Sequence, residues 1–142
     1  MITGHTAVFA LLGSPVAHSL SPAMHNRWFA EMDVDAVYVA LDVTADAELE
    51  SLLATLAGAN LTIPHKLRVV PLLDEAGPDV AATGAANAVV RRDGRLVGRN
   101  TDVEGFGRAA DELDLQLRGS HVVVLGAGGA GLRATLGMAE QG

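Results

Sequence analysis

The apolar positions along the chain fall into two recurring patterns. A-V-F-A-L-L-G at 7–13 and A-V-Y-V-A-L at 36–41 are short unbroken runs. Runs of that length suit strands buried on both faces, as a parallel sheet requires. Elsewhere apolar residues recur at helical spacing: Met24, Trp28 and Phe29 after Ser21-Pro22, and Leu49, Leu52, Leu53 and Leu56 after Thr44. Ser21 reads as an N-cap with proline at the first helical position, which predicts a helix over 21–32. Thr44 reads as the cap of a second helix running to residue 57, with Gly58 placed to stop it.

Further along, 61–63 predicts a short strand ended by Pro64, and 65–73 a helix that Pro71 breaks or kinks. Residues 78–83 add a turn or two of helix. The runs 87–92 and 95–99 flank Asp93-Gly94, a strong hairpin signal. A helix over 102–113 follows, then a linker opening at Gly119, a strand over 121–125 and a last helix from about Gly129. Alternation of this kind predicts an α/β fold: a mostly parallel three-layer domain, then the first β-α unit of a Rossmann-type domain. The expected division is 1–101 for a substrate-binding and catalytic domain, 102–118 for a connecting helix and linker, and 119–142 for an incomplete dinucleotide-binding domain. No solenoid period and no low-complexity tract interrupts this pattern.

Composition narrows the function. The chain has 142 residues, 49% of them hydrophobic, which supplies a core and argues against disorder. A formal net charge of −7 argues against a phosphate-backbone partner, so no nucleic acid is expected. The absence of cysteine removes disulfides and thiolate metal sites and is compatible with a reducing compartment. The apolar run at 7–13 has no preceding Lys or Arg and is too short to span a bilayer, so it reads as a strand and no membrane partner is expected. His18, His25 and His65 lack a ligand spacing, and no metal is expected.

Gly126, Gly128 and Gly131 fit G-x-G-x-x-G directly after V-V-V-L. In that pattern the first glycine permits a tight turn and the second admits a pyrophosphate to the backbone. The third lets helix and strand pack closely. The helix N-terminus would then offer free N–H groups to the phosphates. The residue that reads the ribose would lie about 20 positions on, past the end of this sequence. The sequence therefore reads as a dinucleotide site begun and not finished.

Four polar stations precede it: Ser19 and Ser21; Asn60, Thr62 and Lys66; Asn87; and Asn100, Thr101 and Asp102. Each follows an apolar strand or opens a helix, where parallel α/β sheets place their ligand crevice. Singly, Ser, Thr and Asn are ordinary cap and turn residues. Together they offer hydroxyls, amides, one cation and one carboxylate, which suits a small polyhydroxy carboxylate better than a nucleotide base.

H-S-L-S-P-A-M-H-N, N-L-T-I-P-H-K, G-A-A-N-A, N-T-D-V-E-G-F and G-A-G-G-A-G, in this order, resemble the shikimate dehydrogenase family over nearly the whole chain. The resemblance implies a cytoplasmic enzyme of the shikimate pathway that reversibly reduces 3-dehydroshikimate to shikimate with NADP as cofactor. It implies shikimate or 3-dehydroshikimate as the small-molecule substrate and permits a homodimer. Position by position, Ser19 and Ser21 resemble the serines that bind the substrate carboxylate. Asn60, Thr62, Lys66, Asn87 and Asp102 resemble the remaining substrate contacts. Lys66 and Asp102 resemble the catalytic pair, and Gly126, Ala127, Gly128, Gly129 and Ala130 the cofactor loop. The sequence departs from the family in carrying Ala88 where threonine is frequent and Val103 where glycine is common.

Three alternatives stay open from sequence: a quinate/shikimate dehydrogenase, a non-catalytic module that captures shikimate-like ligands, and a purely structural fragment. Because the cofactor half is not in these residues, the 142-residue chain alone is expected to lack turnover. Burial would lower the pKa of Lys66 and a neighbouring Asp102 would raise it, and sequence leaves that balance open.

Overall fold

The computed structural model describes residues 2–115, 119–121 and 123. Gly126, Ala127, Gly128, Gly129 and Ala130 lie outside them, as do most of the expected strand at 121–125 and the helix after it.

Among the described residues, six strands form one sheet in the order β2-β1-β3-β5-β6-β4. They are β1 (Ala7–Gly13), β2 (Ala36–Asp42), β3 (Gly58–Leu61), β4 (Glu75–Ala76), β5 (Ala88–Arg92) and β6 (Arg95–Arg99). β1 pairs in parallel with β2 and β3, and β6 with β4. β5 is antiparallel to both β3 and β6, so it alone runs against the others. Asp93 and Gly94, both at positive φ, turn the β5–β6 hairpin as the Asp-Gly pair predicts. That reversal matters for function. It brings the start of β5 to the same end of the sheet as the carboxyl ends of β1, β3 and β6.

Helices cover both faces, giving three layers. Along β1, Ala10 and Leu12 face a core shared with Leu49 and Leu53 of α2 (Asp46–Thr55) and Val80 of α4 (Pro78–Thr83). Val69, which follows α3 (His65–Arg68), joins the same core. Phe9 and Leu11, one residue out of phase, face Tyr38 and the Phe29 ring of α1 (Ser21–Glu31). Strand alternation thus divides one run between two cores. Leu12, Leu49, Leu53 and Leu61 are fully buried. Each contributes about 1.5–3 kcal/mol by leaving water.

Four expectations need correction. Helix α1 begins at Ser21, with Leu20 as its N-cap residue, so Ser21 is not the cap. The Ser19 hydroxyl accepts the Ser21 N–H at 3.2 Å, taking over one free amide of the first turn. Helix α2 is shorter than 44–57. Its cap position is Ala45, whose N–H donates to Glu48 Oε2 at 3.4 Å, and its last carbonyls meet other partners. Arg91 Nη2 donates to Leu53 O at 2.6 Å, and the Ala57 N–H has already turned to Val8 O at 2.9 Å. Gly58 opens β3 rather than stopping α2, and the strand lies at 58–61 rather than 61–63. A Cβ there would sit 2.9 Å from Val89 O and 3.0 Å from the Phe9 ring, so the close strand approach requires glycine. As Pro71 predicts, 65–73 is broken into α3 and a 3-10 turn at Val70–Leu72. The two-residue strand β4 is too short to leave a periodic signal in the sequence.

Candidate active site

The loops leaving β1 and β3 are sewn together. Thr62 N–H donates to Leu12 O at 3.0 Å, and Ser14 N–H to Ile63 O at 2.9 Å. A Cβ on Gly13 would lie 2.2 Å from Thr62 Cγ2 and 2.9 Å from Ile63 O, so this junction closes only with glycine at 13. The segment carrying Ser19 and Ser21 is therefore fixed beside the segment carrying Thr62 and Lys66.

Lys66 lies in α3, just after the β3 strand. His65, fully buried, anchors that helix: its Nε2 donates to Val43 O at 2.7 Å, tying α3 to the loop after β2. A carbonyl only accepts, so the proton sits on Nε2. Lys66 Nζ then reaches Asp102 Oδ2 at 2.8 Å, with side-chain exposures of 19% and 30% for the pair. A contact so sheltered is screened less than a surface ion pair.

Asp102 is the first residue of α5 (Asp102–Glu112). Its other carboxylate oxygen, Oδ1, accepts Asn87 Nδ2 at 2.7 Å, and its N–H donates to Asn100 Oδ1 at 3.1 Å. Asn87 also donates to Thr101 Oγ1 at 3.0 Å and accepts the Thr101 N–H at 3.0 Å. Asn60, inside β3 rather than past its end, donates through Nδ2 to Asn87 O at 3.3 Å. The fold thus joins Asn60, Lys66, Asn87 and Asp102 in one polar group at the carboxyl edge of the sheet. Ser19 and Thr62, on the adjoining loops, and Ser21, at the start of α1, are half-buried and outside that group. Among the described residues the Ser21 and Thr62 hydroxyls have no hydrogen bond, and Ser21 is freed from capping by Ser19.

A lysine, a carboxylate and an amide held in contact can exchange a proton with a substrate hydroxyl and orient a second one. Two hydroxyls near a helix N-terminus can hold a carboxylate without a metal. No group of three His, Asp or Glu side chains able to hold a metal occurs among the described residues.

The model of the shikimate dehydrogenase substrate binding domain matches residues 11–89. The chain belongs to this family. A shikimate dehydrogenase (NADP(+)) of Geobacter metallireducens is 44% identical over 147 residues, covering 99% of this chain and 51% of that protein. The shikimate dehydrogenase of Aquifex aeolicus superposes with a TM-score of 0.90 at 31% identity, over 100% of this chain and 55% of that one. Shikimate 5-dehydrogenase of Thermus thermophilus, solved with NADP(H) and shikimate, gives 0.85 at 38% identity, over 96% of this chain and 53% of that one. The chain spans about half the length of the curated relatives it matches.

Within this shikimate dehydrogenase substrate-binding fold, three supporting groups were not legible from sequence. They are His65 at the start of α3, the Tyr38 hydroxyl beside Asn60, and Asp79. Strand parity places Tyr38 on the α1 face, but only the strand order shows what it meets. Asp79, in the first turn of α4, accepts Arg99 Nε at 3.0 Å and the Asn100 N–H. Burial by itself would raise the Asp79 carboxyl. The bonds from Asn100 and Arg99 outweigh it and hold the group below the usual carboxylate range. A depressed folded pKa stabilises the native state above the unfolded pKa of about 3.9, and that gain is lost as pH falls through the folded value. Asp79→Asn is therefore expected to lower the urea midpoint near neutral pH, with the difference from the parent shrinking in acid. Paired urea titrations at neutral and acid pH check this; a pH-independent difference would remove the charge from the account.

Proposed function

We propose that the protein carrying this chain is an NADP-dependent shikimate dehydrogenase that reversibly reduces 3-dehydroshikimate to shikimate. In this reading the present residues supply its substrate-binding and catalytic half. Residues 1–101 form the substrate domain, 102–118 the connection, and 119–142 the start of the dinucleotide domain. The observation that carries the reading is the Lys66 Nζ–Asp102 Oδ2 contact of 2.8 Å, with Asn87 on the other carboxylate oxygen. The Thermus thermophilus relative, solved with both shikimate and NADP(H), supports it.

Reducing a ketone adds a hydride to carbon and a proton to oxygen. What the cofactor supplies when bound is the hydride. The Lys66 ammonium gives its proton to the oxygen as negative charge develops there, and takes it back in the oxidation direction. Asp102 accepts from a neighbouring substrate hydroxyl and keeps Nζ in place. Asn60, Thr62 and Asn87 complete the hydroxyl contacts, and Ser19 and Ser21 hold the carboxylate. Gly126, Ala127, Gly128, Gly129 and Ala130 would hold the NADP pyrophosphate through backbone N–H groups, a role that rests on the glycine spacing for Gly126 and Gly128 and on the family resemblance for the others. A cytoplasmic location and a homodimer belong to the same proposal. Among the described residues, no helix is long and apolar enough to cross a membrane.

The test is steady-state NADP reduction by the protein carrying this chain, with shikimate and with quinate, alongside calorimetric titration of shikimate. Turnover of shikimate with NADP is the expected result. A clear preference for quinate, or binding of neither acid, would overturn it.

A further inference from the structure

We propose that Tyr38 is a positioning residue of this site: its hydroxyl fixes the Asn60 amide in the orientation that joins it to Asn87 and, through Asn87, to Asp102 and Lys66. The inference rests on the dehydrogenase reading for its kinetic consequence, but not for the bond itself.

Tyr38 lies in the middle of β2, and its partner lies in β3, with β1 between them. In the register Phe9 stands opposite both Tyr38 and Gly58, and Leu11 opposite Asn60. The Tyr38 side chain therefore leans across the central strand, along the α1 face, to bring its hydroxyl 2.8 Å from Asn60 Oδ1. The ring that makes this span is held on every side. Tyr38 is 3% exposed and packs with Leu11 and Val16. It stacks on the His25 ring with centroids 4.1 Å apart and planes inclined by 8°. Its backbone N–H and C=O are both bound by the Asn26 side chain at 2.8 Å. His25 is itself pinned through Nδ1 to Ser21 O at 2.9 Å. The helix that carries Ser21 thus also sets the Tyr38 ring.

The chemistry of the contact has one direction. Burial pushes the Tyr38 hydroxyl up to about 12, so near neutral pH it is a phenol with one proton to donate. It donates to an oxygen, which requires Oδ1 of Asn60 to face it. Nδ2 is then turned to donate to Asn87 O at 3.3 Å. Without the phenol, a half-turn of the amide would set its oxygen against the Asn87 carbonyl, two acceptors in contact. One hydrogen on Nδ2 and one lone pair on Oδ1 remain for a ligand. A buried phenol needs some partner. Here that partner is a side chain of the polar group, so the bond orders the site as well as satisfying the core.

The test is a double-mutant cycle of Tyr38→Phe and Asn60→Ala in the protein carrying this chain. It is read by kcat/KM for shikimate oxidation and by hydrogen exchange of the Asn60 side-chain NH2 in a 15N spectrum. Phenylalanine keeps the ring, its stack and its burial. The expected loss for Tyr38→Phe is about five- to tenfold in kcat/KM, the worth of one hydrogen bond. Exchange at Asn60 Nδ2 should be several-fold faster, with the thermal midpoint little moved. Asn60→Ala should cost more, and adding Tyr38→Phe to it should cost nothing further, because a residue that acts through Asn60 has nothing left to act on. Losses that multiply in the double variant, or unchanged Asn60 exchange in Tyr38→Phe, would overturn the proposal. If the unmodified protein turns over no shikimate, the dehydrogenase reading fails, and the exchange measurement still decides whether Tyr38 orders Asn60.

Discussion

Lys66→Met in the protein carrying this chain is expected to lower kcat for shikimate oxidation by about a thousandfold, within the span of general acid–base effects, with KM changed by less than about fivefold. Methionine keeps much of the apolar stem and removes the ammonium. The His65 anchor of α3 is untouched by the change, so α3 should fold as before. What disappears is the ammonium 2.8 Å from Asp102, the proposed proton carrier. Three hydrogens sit on Nζ, and Asp102 takes one of them. A substrate oxygen can use another in the ground state, but the large gain comes when that oxygen carries developing charge. That asymmetry puts the loss in kcat rather than KM. Steady-state kinetics in both directions check it. Unchanged kcat with raised KM would make Lys66 a binding group and leave the proton to another donor.

Asp102 bears on the same prediction from the other side. Its two oxygens face Lys66, which follows β3, and Asn87, which precedes β5, at one end of that strand pair. Removing the ammonium leaves a part-buried carboxylate with Asn87 still donating at 2.7 Å, so the Asn87 side of the site should stay in place. The Lys66 variant should therefore still bind shikimate, which calorimetric titration can show beside the kinetic loss.

How far such an arrangement can be read from sequence depends on how local its causes are. β1, β2, the Asp93-Gly94 hairpin and α5 were legible because their signals are local: an unbroken apolar run, a turn pair, a helical spacing. Gly58 misled because its reason is tertiary. It makes room for Phe9 and Val89, 49 and 31 residues away by subtraction of their numbers, while its neighbours suggest only a helix stop. Ser21 misled by one residue, since a serine before a proline is a good cap and only the geometry of Ser19 displaces it. Lys66 and Asp102 were legible as stations in a familiar order of motifs. Their contact depends on β5 running antiparallel, which no residue near either of them announces. The Tyr38–Asn60 bond was least legible. It joins strands that are not neighbours in the sheet, and its partners become apparent only when β1 is found between β2 and β3.

The same sheet order exposes β2 as an edge strand, and Asn26→Leu is expected to destabilise the chain by roughly 2–4 kcal/mol through that edge. On its inner side β2 pairs with β1. On its outer side Asn26 stands in for a missing strand: Oδ1 accepts the Tyr38 N–H at 2.8 Å, and Nδ2 donates to Tyr38 O at 2.8 Å. The same Nδ2 donates to Pro22 O at 2.8 Å, which fixes the amide within α1. Leucine matches the side chain in size and makes none of these bonds. Tyr38 would keep a donor and an acceptor under the helix with no partner, each costing about 1–3 kcal/mol. Against a typical total of about 5–15 kcal/mol, that loss is large. It would also reopen the centre of β2 to another strand, the ordinary route to edge-to-edge association. Urea titration and light scattering of the purified chain read the two effects separately. A lower urea midpoint with new association is the expected pair. An unchanged midpoint would mean that the Asn26 clamp carries no weight, and a lower midpoint without association would mean that α1 still screens the edge. Because Tyr38 leaves this clamp to meet Asn60, the variant should also loosen the Asn60 amide, connecting the stability of an edge strand to the order of the polar group across the sheet.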